Sequence, residues 1–299
     1  MNESNKVMFI INRFSGSGYR EDLEGKFIAH CNSRSLECSI EYTKKQGHGT
    51  TLARIAVRKN YAMVFAVGGD GTVNEVAQGL LHSHIPLGII PKGSGNGLAR
   101  HLRIPLQIDK ALAMLDKKNI LLMDCFTINN QFSLNVSGIG FDGHVAGLFG
   151  KDGKRGLYGY GRLVISQFRK FNDFECQIQL DEKMISEKAF IISIANSSQF
   201  GNNAIIAPSA SVSDQLLNVS IIKKMSVLQG IGFVTKLFNN SVDRSLHATF
   251  YQAKSIDIIT PNEVPFHIDG EPGGKDTHFQ IRIIPAALHV SIPPNAAVV

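Results

Sequence analysis

Residues 64–81, VFAVGGDGTVNEVAQGLL, decide the fold. An apolar run passes into glycines around one aspartate, Asp70, and then into apolar residues at helical spacing from Asn74 to Leu81. An uninterrupted apolar run predicts a strand buried on both faces, as in a parallel sheet covered by helices. The glycines then fall at the carboxyl end of that strand, where open α/β sheets bind their ligands. A glycine backbone lets a ligand come close. The first turn of the following helix offers N–H groups and partial positive charge, which suit a phosphate. A carboxylate in such a place repels phosphate, so Asp70 needs a reason. It would bind Mg²⁺, take a proton from an attacking hydroxyl, or merely cap the helix, a task for which Thr72 is also available.

The same alternation recurs outward from this stretch. VMFIIN (7–12), CSIEYT (38–43), AMVFAV (62–67) and PLGIIP (86–91) read as strands. The segments around Leu23, Phe27 and Ile28, over 51–58 and over 74–81 read as helices. Together they predict an α/β layer sandwich with a mainly parallel sheet. Two more strand ends carry small residues, NRFSGSG (12–18) and PKGSGNGLAR (91–100). One such loop alone is an ordinary turn; three on one sheet edge gather around a single crevice. Neither G-x-x-x-x-G-K-[ST] nor G-x-G-x-x-G occurs, which argues against a Walker-type nucleotidase and a standard dinucleotide dehydrogenase.

Near residue 124 the texture changes. QFSLNV, ECQIQLDEKMI, KAFIISIAN, LLNVSIIK, KSIDIIT, FHIDGE, FQIRIIP and LHVSI read as strands, with one helical interlude over 227–240. Asn129-Asn130 between two β-prone runs, and the polar turn of QLDEKMI, predict hairpins. The expected architecture is an α/β domain over 1–127 followed by a β-sandwich or flattened barrel over 128–289. The tail, 290–299, is a candidate to return to the first domain.

Composition narrows the class. Hydrophobic content of 43% with 19% charged residues suits a globular chain and not extended disorder. No run of eighteen apolar residues occurs, so no membrane-spanning helix is expected, and the N-terminus reads as the approach to a first strand and not as an export signal. Cys31, Cys38, Cys125 and Cys176 form no C-x-x-C pair, and free thiols in a reducing cytosol are expected. The net charge of +6 favours an anionic partner, either a nucleotide, a nucleic acid or an acidic membrane surface.

GGDGTVNEV with PKGSGNGLAR downstream resembles the catalytic fold of the diacylglycerol kinases, a family that includes sphingosine kinases and bacterial lipid kinases. The likeness runs from INRFSGSG to HIDGEP. NAD kinases and phosphofructokinases share the shorter GGDG loop, but the VNE continuation and GSGN are closer to the lipid kinases. The resemblance implies a three-layer α/β nucleotide domain and a C-terminal β-sandwich for the lipid, in the manner of NAD kinases and diacylglycerol kinases, with the active site between them. It implies ATP contacts at Asn12, Arg13, Phe14, Ser15 and Gly16, at Thr43, and at Gly68, Gly69, Asp70, Gly71, Thr72, Val73, Asn74 and Glu75. Ser94 completes that set. Asp70 and Glu271 are the implied catalytic pair, and which of them is the base stays open.

Mg²⁺ is the implied cofactor. The family's structural metal site maps onto Ser211, Asp214 and Leu216, although Gln215 and Asn218 stand where the family has Gly and Asp. Other departures are Arg13 in place of proline, and Gly97 where many bacterial members have aspartate. Asp124 and Asp142 are secondary candidates; Asp142 matches approximately the acid by which sphingosine kinases hold a substrate amine, but bacterial glycerolipid kinases also have an acid thereabouts, so it does not decide the substrate. The expected reaction is transfer of the γ-phosphate of ATP to a lipid hydroxyl, most simply that of diacylglycerol. A sphingoid-base kinase and a catalytically silent nucleotide- or lipid-binding regulator are the alternatives, with an NAD kinase more distant.

Such an enzyme would be cytoplasmic and peripherally membrane-associated. The basic and aromatic segment KDGKRGLYGYGRL (151–163), followed by QFRKF, suits an anionic lipid surface. No RRM-like or KH-like motif accompanies it, so nucleic acid is not an expected partner. A homodimer is a candidate assembly.

Overall fold

The structure is a computed structural model and describes residues 5–16, 22–114, 119–149 and 157–294. The chain divides into two compact units, one of residues 1–124 and 285–298, the other of residues 125–284.

The first unit alternates strands and helices. In order come β1 (Lys6–Ile11), α1 (Asp22–Ser33), β2 (Glu37–Tyr42), α2 (His48–Arg58), β3 (Met63–Gly68), α3 (Asp70–Leu80), β4 (Leu87–Pro91), α4 (Gly97–His101) and α5 (Ile108–Met114). β1 pairs in parallel with β2 on one side and β3 on the other, and β3 pairs in parallel with β4. The chain thus turns one way from β1 to β2 and the other way to β3. The loops leaving β1 and β3 splay apart at the sheet's carboxyl edge, which is where such folds open a crevice. All five core residues of β1 from Val7 to Ile11 are buried, as a strand covered on both faces requires. Phe9 stacks on Phe27 of α1 and Phe65 of β3, with centroids 4.4 and 4.5 Å apart. α1 buries Leu23, Phe27 and Cys31, whereas Ile28 is exposed, one residue off the core stripe.

The second unit is built from antiparallel strands. It begins within β5 (Ile120–Ile128) and continues with β6 (Gln131–Ser133), β7 (Val136–Gly140), α6 (Phe141–Leu148), α7 (Leu157–Phe168), β8 (Phe174–Leu180), β9 (Lys183–Ala189) and β10 (Ile191–Ala195). Then follow β11 (Leu217–Ile222), α8 (Val227–Phe238), β12 (Ala248–Ala253), β13 (Ser255–Ile268) and β14 (Glu271–Ser291). The hairpin at Asn129-Asn130 forms as expected: both residues have positive φ, and Ile128 faces Gln131 across a two-residue turn. A second tight turn at Asp181 joins β8 to β9, with Leu180 facing Lys183. β13 lies beside β8 along its first half and beside β7 at its end. That hand-over gathers the strands in a sandwich-like arrangement around one core, which includes Phe126, Ile178, Ile194, Val219, Phe266 and Phe279.

Several boundaries differ from expectation. The helix after the glycines starts at Asp70, not Asn74, so Asp70 and Gly71 lie in its first turn. Phe190 interrupts KAFIISIAN into β9 and β10. KSIDIIT and FHIDGE form one strand, β13, with register shifts after Ile259 and Phe266. FQIRIIP and LHVSI also belong to one strand, β14, which crosses from the second unit back to the first at Pro285. There Ala286 takes a positive φ, and its N–H donates to Asp124 Oδ1 at 2.7 Å. Beyond this kink β14 pairs in parallel with β4 through Val290 and Leu87. None of the four cysteines is disulfide-bonded; burial and the neighbouring Cys38 thiol push the pKa of Cys31 up to about 12. Part of the basic segment, residues 151–156, lies outside the described residues.

Candidate active site

The three glycine-rich loops of the first unit touch one another. Asn12 Nδ2, at the end of β1, donates to Thr72 Oγ1 in α3 at 3.2 Å and so bridges the splayed loops after β1 and β3. The loop after β4 meets both. Gly69 and Gly93 approach so closely that a Cβ on Gly93 would lie 2.5 Å from the Gly69 Cα, which only glycine tolerates. Lys92 Nζ donates to the Ser15 carbonyl at 2.7 Å, tying the third loop to the first. Asn96 closes that loop on itself, accepting from Gly93 N at 2.9 Å and donating to Gly93 O at 2.8 Å.

Asp70 sits half-buried at the start of α3, one residue after Gly69, the residue that begins the helix without any side-chain cap. Asp70 is therefore inside the first turn and does not hold the cap position, and Thr72 is turned to Asn12. Val73 and Thr72 are buried, and both their N–H groups bond to Gly69 O. Gly71 and Ser94 are exposed beside them.

Glu75 supports a neighbouring loop. Its two carboxylate oxygens accept the N–H groups of Gly47 and Gly49, at 2.8 and 2.9 Å, which pins the start of α2 and the loop that follows Thr43. In the first loop, Phe14 is exposed and Arg13 stacks over the Tyr42 ring at 3.6 Å. Lys92 carried no motif signal, yet it is a buried cation among the three loops. Burial pushes its pKa down; a phosphate beside it would push it back up.

The second unit carries Glu271, exposed on the turn between β13 and β14. That turn is held from both sides. Asp269, with positive φ, accepts from Ser133 Oγ at 2.6 Å and from the N–H groups of Leu134 and Asn135 at 3.0 Å. Gly270 N donates to His267 Nδ1 at 3.1 Å. The other ring nitrogen, Nε2, then carries the proton and meets Asp142 Oδ2 at 3.3 Å. Asp142, at the start of α6, also accepts from Gly143 N and is buried with His267. A Cβ at position 138 would lie 1.8 Å from Asp142 Oδ2, so Gly138 on β7 makes the space for this carboxylate. Asp142 is thus a buried anchor of the Glu271 turn.

Asp124 is likewise buried, its carboxylate bound to the Ala286 backbone. The expected metal set, Asp214 with the backbone oxygens of Ser211 and Leu216, lies on the turn before β11. Asp214 Oδ1 accepts from Leu216 N at 3.0 Å, and Ser211 Oγ accepts from Ser213 N at 3.4 Å. Asn218 Oδ1 accepts from Ser209 and Gln252. Gln215 takes a left-handed backbone, with φ of 61°, a region that favours glycine. The chain brings one carboxylate to this turn, and no group of three acidic, histidine or cysteine side chains fit to hold a metal occurs among the described residues. Hard divalent cations accept backbone carbonyl oxygens as well as carboxylates, so a set with one carboxylate is chemically sound.

Comparison with known proteins agrees with this geometry. Residues 6–128 match the diacylglycerol kinase catalytic domain, and residues 136–292 match the YegS C-terminal NAD kinase beta sandwich-like domain. The chain belongs to the diacylglycerol kinase/YegS family and is a lipid kinase, a phosphotransferase. It is 28% identical over 277 residues to a probable lipid kinase YegS-like protein of Yersinia pestis (strain Pestoides F), covering 90% of this chain and 91% of the other. The Yersinia pseudotuberculosis serotype O:1b (strain IP 31758) protein of that name matches to the same extent. Among solved structures, a protein of Bacillus anthracis str. Sterne provisionally named a diacylglycerol kinase is 26% identical, with a TM-score of 0.82 over 100% of this chain and 98% of the other.

Proposed function

We propose that this lipid kinase transfers the γ-phosphate of ATP to the hydroxyl of diacylglycerol, giving phosphatidic acid. The observation that carries the nucleotide half is the mutual contact of the three loops at the start of α3. Phosphoryl transfer asks mainly for positioning and charge neutralisation. The loops at Asn12–Gly16, Gly68–Asn74 and Ser94, with Thr43 beside them, would surround the phosphates, while Lys92 supplies a positive charge. Glu75 would act by positioning the loop after Thr43. Asp70, an oxygen donor at a helix start with Asn74 one turn on, would hold the Mg²⁺ that accompanies ATP. That ion would neutralise charge on the phosphates. Glu271 would orient or deprotonate the lipid hydroxyl, and Asp269, His267 and Asp142 would keep its turn in place. The first unit is thereby assigned to nucleotide and the second to lipid.

Diacylglycerol is preferred over a sphingoid base because Asp142 is buried and bonded to His267, which leaves it poorly placed to receive an amine. Incubation with labelled ATP, Mg²⁺ and a total lipid extract tests the reading. Labelled phosphatidic acid supports it; a labelled long-chain-base phosphate, or NADP formed from added NAD, selects a different kinase, and no labelled product points to a silent regulator.

A further inference from the structure

We infer that α8 is the surface by which this protein docks on an anionic bilayer. α8 packs inward through Phe233, with Leu237 half-buried and Gly230 against the Phe168 ring of α7. Its opposite side is apolar where a surface helix would ordinarily be charged. Leu228, Ile231, Val234 and Phe238 are 81, 63, 45 and 49% exposed. Spaced three, three and four apart, they fall on one arc of about a third of the helix circumference. Leu246, just beyond the short 3₁₀ turn Val242–Arg244, is 98% exposed.

The charges around this stripe identify its occupant. α8 contains one lysine and no acid. Over residues 223–247 four cationic residues stand against the single acid Asp243. At the amino end of α8, one residue before Leu228, lies a hollow of about 310 Å³ lined by Phe168, Arg169, Lys224, Met225, Ser226 and Val227, with two cations and no acid. Lys223 is paired with Glu187 at 3.3 Å, and the remaining cations still outnumber Asp243. An exposed apolar arc bordered by an excess of cations complements an acidic lipid surface: the side chains enter the acyl boundary while Lys and Arg meet headgroup phosphates. Among the described residues no helix is long and apolar enough to cross a membrane. This docking assignment rests on the lipid-kinase reading only for its purpose; the surface is tested by itself.

The test is co-sedimentation of the full chain with phosphatidylcholine vesicles, with and without one-third phosphatidylglycerol. Wild type is expected to bind the anionic vesicles and to be released by salt. I231E/F238E should lower the bound fraction at least ~10-fold at an unchanged melting temperature, and R169E/K224E should abolish the preference for phosphatidylglycerol. Leu228→Glu, at a position 81% exposed, serves if the double variant does not fold. Wild-type protein that ignores vesicles, or an α8 variant that binds as wild type does, overturns the proposal. So does a wild-type dimer that I231E/F238E converts to monomer without loss of vesicle binding, because a second copy would then cover the stripe. Turnover of detergent-dispersed lipid by wild type reports on the kinase reading separately: a protein that docks through α8 but phosphorylates no lipid loses that reading and keeps this one.

Discussion

His267 Nε2 lies 3.3 Å from Asp142 Oδ2, both side chains buried, and the opposite ring nitrogen takes the N–H of Gly270, the residue before Glu271. The imidazole therefore couples a buried carboxylate to the turn that carries the proposed base. His267→Leu would strand the Asp142 carboxylate and release Gly270. A loss of about 2–3 kcal/mol in stability is expected, with kcat for lipid phosphorylation reduced and the KM for ATP unchanged. Equal melting temperature and equal kcat in the variant would show that the contact positions nothing.

Gly138→Ala tests the same anchor from beneath. The added Cβ overlaps Asp142 Oδ2 and must displace it. Chemical denaturation should show destabilisation of about 1–3 kcal/mol; a neutral result would mean that Asp142 has another resting place.

Lys92→Met removes the cation that joins the first and third glycine loops. The KM for ATP should rise roughly 10-fold, with a smaller effect on kcat, since a charge on bound phosphates acts in ground and transition state alike. An unchanged KM would remove Lys92 from the nucleotide site.

These residues also mark how far the sequence could be read. The strand, glycine loop and helix of residues 64–81 were legible because each leaves a local pattern, and the Asn129-Asn130 hairpin because type I′ geometry demands such residues. The touching of the loops followed from their shared position on strand ends. Lys92 left no signal, because a lysine beside glycines looks like any surface lysine until its burial is seen. His267 and Gly138 were silent for another reason. Asp142 lies 125 residues from His267 and meets it through the pairing of β13 with β7, while Gly138, four residues before Asp142, shows its packing role only once the turn from β7 into α6 folds the carboxylate over it. Glu75 ends the GGDGTVNE string, but its bonds to the α2 backbone are visible only in the fold. The continuity of β13 and β14 was hidden by prolines and polar residues that break the alternation without ending the strand.

Stability should fall in mild acid through His101. Burial, with Arg103 nearby, lowers its pKa to about 4, against an ordinary 6.5. The unfolded chain takes up a proton from about pH 6.5 downward while the folded chain does not, so the contribution is full above that pH and is lost as pH falls toward 4. Over that window up to about 3 kcal/mol is at stake. His101→Gln should flatten the dependence of the unfolding midpoint between pH 7 and 4, a range set by the same two pKa values. An identical slope in wild type and variant would assign the acid sensitivity elsewhere.

The central claim is that Asp70, at the start of α3, serves phosphoryl transfer to a lipid hydroxyl with Glu271. Single-turnover transfer from labelled ATP to dispersed diacylglycerol, measured for wild type, Asp70→Asn and Glu271→Gln, tests it most directly. Wild type should form labelled phosphatidic acid, and each variant should fall at least ~10²-fold while melting as wild type does. Near-normal transfer by a folded Asp70→Asn protein would contradict it.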